Sequence, residues 1–396
     1  MARGVTNSGE LPAPVFSIDS CVGALHQNKR VVREEGLKDL VAALEGFVSA
    51  DDRRYEEHEY EQAMDRCFYF LRSGSATERK DAYRAIGLYA LTVGPKAEVL
   101  DRLFDLDRLS GMVPSSPSDA ERAVAAINCL AAATLACAQR PAEAKRPLKA
   151  IWEVMGEAAT AAVPRVLASA MSAWTVVLPA VRDIRGMTPF ALIAKLLSAD
   201  DRAVRMAAGE ALAVCIELNI LPRQPEPPRW WNDKRAEPRP GDKPSLESRV
   251  SELAFPEEKY AHKNEHAEEI GLFRQIDDLL KKNKQQIEDL LKKKNNERPE
   301  ESDGPAGVVK VSKRWVKLVQ INFLKQYIGE GFETHFSLNL PLFRDNLGLT
   351  RAAGGADEEE DAMPAHEKKQ LRKDRDRQMS LAVKRDRRDK ANQYDD

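Results

Sequence analysis

From about Lys29 to Leu221 the chain is a succession of helix-period segments joined by short breaks, and this pattern limits its fold more than any motif does. VREEGLKDLVAALEGFV spaces Leu37, Leu40, Val41, Leu44 and Phe47 by three and four, which is one face of an α-helix. EQAMDRCFYFLRSG ends in Ser-Gly and KDAYRAIGLYALTVGP ends in Gly-Pro, both ordinary helix stops. Further helices are expected near Asp119–Ala138, Leu148–Ala161, Val163–Val177, Pro189–Leu197 and Arg202–Leu218. No alternating β-branched run argues for a sheet. In SADDRAVRMAAGEALAVCIEL, Val204, Ala208, Ala211, Cys215 and Leu218 share one side, and the alanines with Gly209 leave room for a neighbouring helix to approach. Short helices with small-residue faces predict an all-α fold, an armadillo/HEAT-like helical solenoid in which each pair covers the next. A generic helical bundle is the competing topology. Either is a scaffold with a long surface and no intrinsic chemistry.

The rest divides by composition. Residues 1–23 read as a flexible N-terminus, 24–222 as the armadillo-like domain and 223–262 as a Pro-rich linker with seven prolines between Pro222 and Pro244. Trp230 and Trp231 in that linker either cover an apolar patch or stack on a nucleobase. Residues 263–298 read as a long charged helix whose narrow stripe is Ile270, Phe273, Ile276, Leu280, Ile287, Leu290 and Leu291. After a break rich in Pro and Gly, residues 308–349 read as a small helical C-terminal domain centred on a helix apolar almost all round, with Trp315, Val319, Phe323 and Tyr327. Lys313, Arg314 and Lys317 fall within an arc of about 100° at its N-terminal end. They are either a solvated rim or a phosphate-contacting patch.

Residues 350–396 read as an acidic linker and a basic C-terminal helix or tail. The formal net charge is only −2, yet Asp357 to Asp361 are five acids in a row and Glu367 to Lys390 hold 11 bases against 5 acids. Lys368, Lys369, Arg372, Lys373, Arg375, Arg377, Lys384, Arg385, Arg387 and Arg388 are the candidate RNA-binding residues there, together with Lys313, Arg314 and Lys317. Three readings of the tail stand open: a solvated terminus, a nuclear-import signal in KRDRRDK, and a segment that orders on RNA. The interspersed Asp374, Asp376, Asp386 and Asp389 supply helix-favouring pairs, which suits a basic rod in an RNA-walled channel.

Five scattered cysteines, with no Cys-x-x-Cys, argue against a disulfide framework or a structural zinc and fit a reducing compartment. No leader-like apolar segment or run of ~18–20 apolar residues is apparent, so a soluble, intracellular chain without a membrane partner is expected. No phosphate-binding glycine loop, zinc-protease helix or serine-hydrolase elbow occurs. His262 and His266 stand at i, i+4 but lack a third metal ligand. His335 reads as a hydrogen-bonded core residue, and Cys129 and Cys137 as buried thiols on one helix face. The expectation is a non-enzyme with no cofactor, no metal and no small-molecule substrate.

Four stretches resemble the interferon-related developmental regulator family: DAYRAIGLYALTVGP (Asp81–Pro95), SAWTVVLP around Trp174, SADDRAVRMAAGEALAVCIEL (Ser198–Leu218) and WVKLVQINFLKQYIGEGFETHFSLNLPLFRDNLGL (Trp315–Leu349). They occur in the family's order, and the similarity runs from about Ala24 to Leu349. The resemblance implies an armadillo-like domain, a small helical C-terminal domain and one of two non-enzymatic roles. One is a cytoplasmic dormancy factor on the 80S ribosome, held by rRNA and ribosomal proteins, with a C-terminal helix in the mRNA channel. The other is a nuclear co-regulator that binds transcriptional regulators.

Overall fold

The computed structural model describes residues 18–46, 57–94, 97–106, 117–161, 163–181, 189–220, 246–256, 266–296 and 314–339, with 184, 187, 342, 343 and 347 singly. Among them there is no strand. The helices are α1 (Ile18–Leu25), α2 (Arg30–Glu45), α3 (Glu57–Ser73), α4 (Ala76–Val93), α5 (Ala97–Leu106), α6 (Pro117–Cys137), α7 (Pro141–Ala161), α8 (Pro164–Val177), α9 (Pro189–Leu196), α10 (Arg202–Glu217), α11 (Leu246–Ala254), α12 (Ala267–Asn296), α13 (Arg314–Ile328) and α14 (Phe332–Leu338). Consecutive helices from α1 to α12 pack in pairs. The second member of each pair also packs on the second member of the next, giving a spine α2–α4–α6–α8–α10–α12. The first members line the other side, where α1 touches α3 and α3 touches α5. This is the all-α solenoid expected from the sequence, and its core lies between the two layers.

Side-chain size explains the spine. On α6, Ala126, Cys129, Ala131, Ala132, Ala133 and Ala136 are buried, so α4 and α8 approach it on opposite sides. On α10, Gly209 does the same for α12. A methyl there would meet Phe273 at 3.0 Å and Ile276 at 3.1 Å, and both of those side chains are fully buried. Caps define helix starts in sequence. Asp201 accepts the Val204 N–H at 3.0 Å, and Ser75 and Glu78 form a reciprocal capping box at the start of α4. Glu78 is buried and also takes the Arg33 guanidinium at 2.8 Å, so one carboxylate both starts α4 and ties it to α2. Further ion pairs join neighbouring repeats, among them Lys80–Glu121, Arg165–Glu121 and the bidentate Arg205–Glu269 pair at 2.6 and 3.1 Å.

Several expectations need correction. The end of the stretch 1–23 is helical: α1 starts at Ile18 and buries Ile18, Cys21, Val22 and Leu25. Within the 223–262 stretch, α11 is a helix that buries Val250 and Ala254 and pairs with α12. Helix α7 begins at Pro141, before Leu148, and carries Pro147 inside it. The buried Ala144 and Leu148 on either side hold that turn in place, and Glu143 bonds back to the Gln139 N–H at 2.9 Å. Asp119–Cys137 has the length and mean hydropathy, 1.3, of a membrane-crossing helix, which a search for large apolar residues overlooks because alanine supplies it. In the fold this stretch is mostly buried between α4 and α8. Finally, α13 and α14 belong to one compact unit with the solenoid, spanning Met1–Leu347, and not to a small domain with an independent core.

Candidate nucleic-acid interface

Helix α13 crosses the spine, touching α10, α8 and α6 in turn, and its last turns reach α4 and α2 through Tyr327 and the residues after it. Its start is set from another element. The buried Glu217 carboxylate at the end of α10 accepts the Trp315 N–H at 2.9 Å and the Val316 N–H at 2.7 Å. These are donors that the first turn of a helix cannot satisfy internally. Trp315, Val316, Val319, Gln320, Phe323, Leu324, Tyr327 and Ile328 face the solenoid and are buried. Tyr327 lies directly over Gly87, where a methyl carbon would be 2.0 Å from its hydroxyl, and donates to the Arg84 carbonyl at 3.3 Å. Burial holds the Tyr327 phenol well above its ordinary range.

The helix stops at Gly329, whose φ of 75° lies in the left-handed region that glycine enters without strain. A 3-10 turn then brings Gly331 so close to the Glu45 carbonyl that any side chain would overlap it. In α14, His335 is fully buried and its Nε2–H donates to the Leu44 carbonyl at 2.9 Å, since a carbonyl can only accept. Burial keeps this imidazole below the usual histidine range, so it is a neutral structural residue, in line with its reading from sequence. Asn339 bonds to the Leu91 carbonyl, and Phe332, Phe336 and Phe343 pack edge-on and stacked around the end of the segment.

The opposite face of α13 carries Arg314, Lys317, Asn322, Lys325 and Gln326, all exposed, with Leu318 at 40%. At 100° per residue Arg314, Lys317 and Lys325 fall within an arc of about 80°. RWVKLVQINFLKQYI holds three bases and no acid, and among the described residues none of the three bases is in an ion pair. That contrasts with Arg33, Arg84, Arg202 and Arg205, whose charges are spent within the scaffold. Arg314 and Lys317 are therefore presented outward, as both sequence readings, a solvated rim and a phosphate-contacting patch, require. Lys313 and the tail residues Lys368, Lys369, Arg372, Lys373, Arg375, Arg377, Lys384, Arg385, Arg387 and Arg388 lie outside the described residues, as do Trp230, Trp231 and His262. Lys325, Asn322 and Gln326 escaped the sequence reading because the helix was taken as apolar nearly all round. The signal that finds Lys325 is its eleven-residue spacing from Arg314, three full turns.

The model of the interferon-related developmental regulator family matches residues 13–281. The chain belongs to this family. The match ends before α13, so the distinctive Trp315–Leu349 stretch stands outside it. No curated protein matches the chain. Among solved structures it is similar to the designed armadillo repeat protein YIII(Dq)4CqI at 14% identity and a TM-score of 0.38, over 66% of this chain and 100% of that one. At that score the solenoid assignment rests on the helix packing described above.

Proposed function

We propose that this member of the family is a non-enzymatic ribosome-binding factor that keeps ribosomes inactive by occupying the sites tRNA needs and filling the mRNA channel with its basic C-terminal segment. The observation that carries this reading is the outward face of α13: three exposed bases on an acid-free helix, none of them in an ion pair among the described residues, on a helix whose other face is packed into the scaffold. The segregated tail, with 11 bases against 5 acids from Glu367 to Lys390, supports it. The mechanism is steric. Affinity comes from phosphate neutralisation and counterion release, each phosphate adding roughly 0.7–0.9 to the slope of log affinity against log salt. Sucrose-gradient fractionation tests the reading: the chain should co-migrate with monosomes that lack mRNA. Deleting residues 364–396 should leave it bound through its body while mRNA loads onto the complex. Chromatin association with no ribosomal signal would overturn the reading in favour of a nuclear scaffold for transcriptional regulators.

A further inference from the structure

The outer face of α13 has a geometry that selects among nucleic acids, and this step rests on the RNA-binding reading above. Half of the helix is sunk in the solenoid: Trp315, Phe323 and Tyr327 are 8%, 8% and 6% exposed. Two consequences follow. The aromatic rings on which single-stranded bases would stack face inward and cannot serve as a platform. The helix also cannot enter the B-DNA major groove, about 8.5 Å deep, because roughly half of its ~10–12 Å diameter is held against α10, α8 and α6. What remains is a shallow polar ridge. Arg314 and Lys317 stand at one end and Lys325 about 12–16 Å along, with the apolar Leu318 and the amide of Asn322 between and the amide of Gln326 one residue beyond Lys325. The surface that accepts such a ridge is the wide, shallow minor groove of A-form RNA, which displays 2′-hydroxyls between two phosphate strands.

We infer that α13 is a duplex-RNA reader: Arg314 and Lys317 engage phosphates of one strand, Lys325 those of the other, and Asn322 and Gln326 bond to 2′-hydroxyls across the minor groove. The recognition is of shape and sugar, not of base sequence. It gives the ribosome-binding reading a definite target class, an exposed rRNA helix, and a site separate from the tail.

The full-length protein should be titrated by fluorescence anisotropy with a 20-base-pair RNA duplex, one of its strands alone and the DNA duplex of the same sequence, at several salt concentrations. The tail adds phosphate contacts to all three probes, so the ratios carry the answer. The RNA duplex should bind at least tenfold tighter than either competitor. Changing Arg314, Lys317 and Lys325 together to Gln should abolish that preference and lower the salt slope for the duplex by about 2–3. Changing Asn322 and Gln326 to Ala should reduce the RNA-over-DNA ratio while leaving the slope unchanged. All five side chains are exposed, and matched thermal melts confirm that the variants fold. Equal affinity for the three probes, a preference for single strands or for DNA, or a triple variant that keeps the wild-type ratio would each overturn the inference. Co-sedimentation of the wild type with ribosomes is read separately. If it co-sediments without duplex preference, the inference fails and the ribosome reading stands. If it prefers the duplex but does not co-sediment, the reverse holds.

Discussion

The Glu217 carboxylate lies buried at the end of α10 and takes two N–H groups that α13 leaves unsatisfied. Glu217→Ala strands both donors in a dry interface, at a cost of about 1–3 kcal/mol. The expected result is earlier cleavage within 314–339 by limited proteolysis, with Glu217→Gln intermediate because one acceptor oxygen remains. Equal resistance of wild type and Glu217→Ala would show that α13 is held by its apolar face alone. Glu210, on the same helix, behaves differently. Burial and then the negative charge of Glu268 push its carboxyl up to about 7 from 4.5. Its folded value exceeds its unfolded one, so the stability it contributes is complete below about pH 4.5 and is lost as pH rises through about 7. Glu210→Gln should therefore stabilise the protein above pH 7, by about 1–3 kcal/mol after allowance for partial exposure, and flatten the pH dependence between those limits. Denaturant melts at pH 4.5, 6 and 8 check it. Glu269 balances the other way. Burial raises its carboxyl, but the Arg205 bonds outweigh this and hold it below its ordinary value, which keeps the α10–α12 junction ion-paired at neutral pH.

At the scale of elements, α13 is a helix whose apolar side is matched to a row of other helices. Replacing Trp315 with Ala should cost roughly 3–5 kcal/mol and release the 314–343 segment first. Proteolysis that finds that segment as resistant as before would reassign Trp315 to a contact role. How much of this was legible depended on where the partner of each face lay. The stripe Leu37, Leu40 and Leu44 on α2 announced its core face, and Gly209 announced a close neighbour, since both signals are local. The identity of that neighbour, α12 some sixty residues on, was not legible. Nor was it legible that the apolar circumference of α13 is covered by the spine, because Glu217 and Trp315 meet only through tertiary packing. The short α1 and α11 escaped for another reason: each has only a few buried side chains, too few to set a period.

At the scale of the molecule, the two layers enclose the thiols. Cys21, Cys67, Cys129, Cys137 and Cys215 are all buried and none forms a disulfide, and burial pushes Cys67 and Cys215 up to about 12 and Cys21 to about 11. A thiol reagent at pH 8 should label the native protein slowly, and all five sites should react together as the solenoid unfolds. Rapid labelling of one cysteine alone would reveal a repeat that opens independently. The layered core and its internal ion pairs leave the outer face of α13 as a positively charged ridge, which we propose meets ribosomal RNA. Placing a photocrosslinking benzophenone side chain at Lys317 or at Lys325, irradiating the full-length protein with purified ribosomes and mapping adducts by primer extension tests that claim most directly. Stops in helical rRNA are expected from both positions, on opposite strands of one duplex. Crosslinks to ribosomal protein alone, or none from a protein that co-sediments with the ribosome, would contradict it.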